Sequence, residues 1–82
     1  MPEICRFLGI VISMYFDEHN PPHFHVSYNE YKAVIAIQTL NTVDGCLPAR
    51  VRGIVEEWAE IHQAELLKMW NSQDFHKLEP LV

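Results

Sequence analysis

With 82 residues the chain is one domain, 1–82, too short for a second core. Such a chain buries roughly 60% of its unfolded surface and gains from a partner or self-association. Its 49% hydrophobic and 21% charged residues argue against disorder, and no apolar run approaches the ~18 residues of a membrane span. A net charge of −5, with six cations spread along the sequence, argues against direct nucleic-acid binding by this chain alone.

No basic segment followed by an apolar stretch and a cleavage site opens the sequence, so a cytoplasmic location is expected. Cys5 and Cys46 lack metal-type spacing and suit a reducing compartment better than a disulfide framework.

Met1 to Arg6 reads as a lead-in containing a short strand, and Gly9 as a break. Ile10 to Phe16 reads as the next strand, with Ile10, Ile12, Met14 and Phe16 on an apolar face. Asp17 to Pro22 is a loop whose polar cluster and paired prolines stiffen it. The proline bonds are open to either isomer.

His23 to Tyr28 and Tyr31 to Gln38 form a hairpin over Asn29-Glu30. A two-residue turn sets Tyr28 opposite Tyr31, Val26 opposite Ala33 and Phe24 opposite Ile35. The second face then carries His23 with Ala36, His25 with Val34 and Ser27 with Lys32. A one-residue slip would turn a strand's side chains over.

Asn41 to Cys46 reads as a turn around Asp44-Gly45. One long helix follows, over about Pro48 to Ser72, with Pro48 suited to its first turn. Val51, Ile54, Val55, Trp58, Ile61, Leu66 and Met69 gather on one side at helical spacing. His62 sits near the centre of that stripe, with Glu65 or a loop carbonyl as its expected partner. The tail from Asp74 reads as an extended arm. The expected fold is α+β: a small antiparallel sheet of three to four strands with one long amphipathic helix packed across one face.

Three of the five histidines fall within seven residues, His19 to His25. His23 and His25 project from the same strand face, about 7 Å apart at Cα, and His19 stands ready to reach back from the stiff loop. His19, His23 and His25 are thus candidate metal ligands for a divalent transition metal such as zinc, with Asp17 or Glu18 supplying oxygen. The same three are candidate catalytic groups, because imidazoles serve as acid and base near neutral pH. The competing reading is a polar surface with no cofactor. No phosphate-cradling glycine loop or activated serine or cysteine motif occurs. Tyr28, Tyr31 and Trp70 are candidate partner-interface residues; Trp70 lies off the helix stripe and suits either an interface or the lower end of the core.

The opening Met1-Pro2-Glu3-Ile4-Cys5-Arg6-Phe7, the block His19-Asn20-Pro21-Pro22-His23-Phe24-His25 and the segment Glu57-Trp58-Ala59-Glu60-Ile61-His62 resemble the bacterial domain-of-unknown-function family DUF4160. The resemblance extends over nearly the whole chain. It implies a small cytoplasmic protein, commonly encoded beside a second small domain in an arrangement that suggests a toxin–antitoxin pair. It carries over no catalytic residue. The Asn29-Glu30 turn departs from the glycine expected there.

The expected function is therefore a subunit of a toxin–antitoxin-like module, with the toxin side favoured because a partner would carry any DNA binding. Its expected partner is a small cognate protein encoded nearby. The competing class is a metal-dependent or histidine-based hydrolase or ribonuclease using His19, His23 and His25. A homodimer joined through an open sheet edge is a third reading.

Overall fold

The computed structural model describes residues 3–82; Met1 and Pro2 lie outside the described residues. Five strands come first: β1 (Glu3–Phe7), β2 (Ile10–Ser13), β3 (His23–Tyr28), β4 (Tyr31–Ala36) and β5 (Thr42–Gly45). They pair only with their chain neighbours, in the order β1-β2-β3-β4-β5, and every pairing is antiparallel. The helix α1 (Ala49–Ser72) follows. The fold is α+β, with a five-stranded sheet where three to four strands were expected.

The additional strand is β5, read from sequence as a turn. Asp44-Gly45 is a turn signal, yet Gly45 pairs with Ala33 across the sheet. A Cβ at Gly45 would lie 2.1 Å from the Lys32 carbonyl oxygen, and its φ is +73°. Glycine is there because two backbones touch, as it is in strands that bring chains unusually close. Cys46 N–H then donates to Lys32 O at 3.1 Å.

The hairpin register follows the alternation in the sequence: Tyr28 faces Tyr31, Val26 faces Ala33, Phe24 faces Ile35 and His25 faces Val34. Asn29 takes the left-handed backbone, φ 53°, that the tight turn demands and that asparagine tolerates. The β4 strand ends at Ala36 rather than Gln38, where Ile37 N–H instead donates to Pro22 O.

Ile10, Ile12, Phe24, Val26, Ala33 and Ile35 are buried on the core face, one every second residue as a pleated strand requires. Against them α1 lays Val51, Val55, Trp58, Ala59, Leu66 and Met69, all buried. Phe7 and Phe24 bring their rings to 6.5 and 6.0 Å from Trp58.

Two expected core residues lie outside it. Ile61 is 65% exposed: at 100° per residue it stands roughly 110° from the centre of the buried stripe, which runs toward Ala59 and Trp70 instead. Phe16 is exposed as well, because β2 stops at Ser13. Its ring stacks at 4.8 Å on Phe75 from the tail.

The tail binds back as an arm. Leu78 N–H donates to Ile4 O at 2.8 Å, beside β1, and Lys77 reaches Glu3. Trp58 Nε1–H donates to Glu79 O, and His62 Nε2 lies 2.9 Å from the same oxygen. A carbonyl therefore partners His62, while Glu65 pairs with His76. Cys5 is buried and Cys46 exposed, and both are free thiols; burial pushes the Cys5 thiol up.

Candidate functional site

The loop between β2 and β3 is anchored to the far end of α1. Asp17, with φ 59°, turns the chain, and its N–H donates to Gln73 Oε1 at 3.0 Å. Gln73 is the left-handed cap of the helix, its own N–H bonded to Met69 O. Three residues after Asp17, Asn20 Oδ1 accepts from Trp70 Nε1–H at 3.3 Å. The Asn20–Pro21 peptide is cis. Held at both points, the loop presents Glu18 to the start of β3.

His23 and His25 stand two residues apart on one strand face, with ring centroids 5.2 Å apart. One oxygen, Glu18 Oε1, lies 3.0 Å from His23 Nε2 and 2.6 Å from His25 Nε2. On its other side His23 Nδ1 lies 2.8 Å from Pro21 O. A carbonyl oxygen can only accept, which assigns a proton to Nδ1. Burial works to raise the Glu18 carboxyl, but the hydrogen bond and charge of His25, with His23 behind it, prevail and hold it below its ordinary value.

Aromatic rings wall the cluster on two sides. Tyr15 meets His25 edge-on at 4.6 Å, and Trp70 lies 4.9 Å from His23. The His23 side chain keeps 13% of its surface, whereas His25 and Glu18 keep 30% and 29%. His25 is thus the imidazole that solvent reaches, and His23 is the one that the helix covers.

Among the described residues, no further helix or strand packs over the sheet face opposite the helix. It carries a trough of about 560 Å³ lined by Arg6, Ser13, Tyr15, His25, Lys32 and Asp44, among others. Lys32, the accessible imidazole and Asp44 share this trough with Arg6, which is itself paired with Glu3.

The expected trio is therefore brought together only in part. His23 and His25 converge, while His19 is exposed on the loop and stands outside the group formed by Glu18, His23 and His25. Glu18, one of the two oxygen donors expected from the sequence, joins the two histidines where His19 does not. Trp70, considered as an interface anchor, is 7% exposed and engaged with His23 and Asn20 within the chain. Tyr28 and Tyr31 are half-buried and pack against the core. Tyr15 was not singled out in the sequence; its alternation with Ser13 ahead of the loop was the available signal.

Chemically, a carboxylate bridging two imidazoles can orient an imidazole for proton transfer or contribute oxygen and nitrogen ligands to a cation.

These features define the class: an α+β domain with a five-stranded antiparallel meander, a helix across one face and a Glu–His–His cluster beside an open trough. The chain belongs to the family described as Domain of unknown function (DUF4160), whose family model matches residues 9–71. That match takes in Glu18, His23 and His25. Neither the curated proteins nor the solved structures gave a match. Among the described residues, no helix is long and apolar enough to cross a membrane.

Proposed function

We propose that this protein is the toxin-side subunit of a bacterial toxin–antitoxin-like module and acts through a small cognate protein partner in the cytoplasm. The observation that carries the reading is the uncovered sheet face. It places Lys32 and His25 around one trough with Asp44 and with Arg6, whose guanidinium is paired with Glu3, and a partner that brings a carboxylate complements Lys32 and the imidazole. Family resemblance supports the paired arrangement. The acidic net charge of the chain supports leaving DNA contacts to the partner.

The test is expression of this chain with and without the neighbouring small protein, followed by growth and co-purification. Arrest by the chain alone, relieved by a stably co-purifying partner, is the expected result. Arrest by the neighbour instead would reverse the assignment, and the absence of both arrest and complex would overturn it.

A second reading, a histidine-based hydrolase or ribonuclease, is favoured by Glu18 Oε1 standing between His23 Nε2 and His25 Nε2. In it His25, the more accessible imidazole, exchanges a proton with substrate, and Glu18 orients it. Intact cellular RNA during arrest, or arrest undiminished by His25→Ala, would exclude the ribonuclease form.

A further inference from the structure

We propose that Glu18, His23 and His25 form a binding site for one divalent transition-metal ion, of which zinc best suits the two nitrogens and one carboxylate oxygen. This goes beyond the partner-binding reading and stands independently of it.

The argument begins with His23. Its Nδ1 proton is committed to Pro21 O, 2.8 Å away. In the neutral ring, Nε2 then carries a lone pair, and that lone pair points at a carboxylate oxygen 3.0 Å distant. Two acceptors at that separation repel unless a positive charge lies between them. A proton is one such charge, giving an imidazolium. A metal ion is the other, and it uses the third donor as well.

The remaining geometry can take up the metal. His25 Nε2 approaches the same oxygen from a second direction, and one donor atom from each residue lies within 4.8 Å of the other two. Zinc bonds of about 2.0–2.1 Å in a tetrahedron place ligand atoms about 3.4 Å apart, so Glu18 Oε1 would withdraw by less than about 1 Å from each nitrogen, and the two imidazoles would adjust to the same spacing. Glu18 retains 29% side-chain exposure on a loop, which leaves room for that adjustment.

The surrounding contacts are those of an oriented metal ligand. A ligating histidine normally donates its other N–H to a carbonyl or carboxylate, which fixes the tautomer; His23 does this through Pro21. Trp70 and Tyr15 hold the two rings from outside. Three protein ligands leave a fourth position for water or another ligand, the arrangement of zinc sites that are not closed.

The test uses the full chain without a histidine tag, stripped with a chelator and titrated with zinc chloride by calorimetry. One ion per chain is expected. Glu18→Gln and His25→Ala should each weaken binding by at least about tenfold, while His19→Ala and His76→Ala leave it unchanged. Thermal melting of the metal-free variants checks folding; if His25→Ala does not fold, Glu18→Gln decides. No binding, equal affinity in Glu18→Gln, or a loss specific to His19→Ala would overturn the site. None of these results depends on whether the chain arrests growth or binds a partner.

Discussion

The Trp70 ring lies 4.9 Å from the His23 ring, and its indole N–H donates to Asn20 on the preceding loop. One side chain from the end of the helix therefore secures both the strand and the loop that build the cluster. Trp70→Ala should destabilise the protein by about 3–5 kcal/mol, the usual cost of deleting a buried tryptophan. Trp70→Phe keeps most of the packing and loses the hydrogen bond, so about 1 kcal/mol is expected. Urea unfolding of the two variants checks the ranking.

The carbonyl of Glu79 receives the indole N–H of Trp58 and faces His62 Nε2. Ending the chain after Gln73 removes that oxygen together with the Leu78–Ile4 bond. The truncated chain should be less stable by at least about 1–3 kcal/mol from the lost hydrogen bonds alone. Its tryptophan emission should shift to the red as water reaches Trp58.

Glu3 joins β1 to the tail and gives a pH signature. Hydrogen bonding from Arg6, with Lys77 adding to it against a smaller effect of burial, lowers its carboxyl to about 2. A folded-state value below the unfolded one of 4.5 means that the contribution is fully present above the unfolded value and is lost as pH falls toward the folded one. Melting temperature should therefore fall between about pH 4.5 and 2 more steeply in the natural chain than in Glu3→Gln. Parallel curves would show that these ion pairs do not act on folding.

Gly45→Ala should detach β5. The added methyl would meet Lys32 O at 2.1 Å, on a backbone with φ +73°. A loss of more than about 1 kcal/mol is expected, since alanine is incompatible with both conditions. Hydrogen exchange at Cys46 N–H, which bonds to Lys32 O, should quicken in the variant while the amides of β3 stay protected.

Alternation was legible in the sequence wherever burial enforces it. The pairs Phe24–Ile35 and Val26–Ala33 follow directly from apolar residues at every second position. The helix, too, declares itself by its periodicity and by Pro48 before it. The β5 strand does not, because Val43 and Asp44 are exposed and its pairing depends on the missing side chain of Gly45. The cluster was half legible. Spacing sets His23 and His25 side by side and the loop offers Asp17 or Glu18 as the oxygen donor, but which carboxylate joins them, and the exclusion of His19, goes with a loop whose left-handed Asp17 is held by Gln73, 56 residues away in the chain. A contact of that range has no local signature.

Because every strand bonds only to the strand before and after it, the sheet can assemble by successive short loop closures, each entropically cheap. Such local topology favours rapid folding. The histidine-bearing hairpin can form before the distant partners of its loop exist. Trp70 and Gln73 arrive only when the helix docks, so the cluster is organised no earlier than that docking.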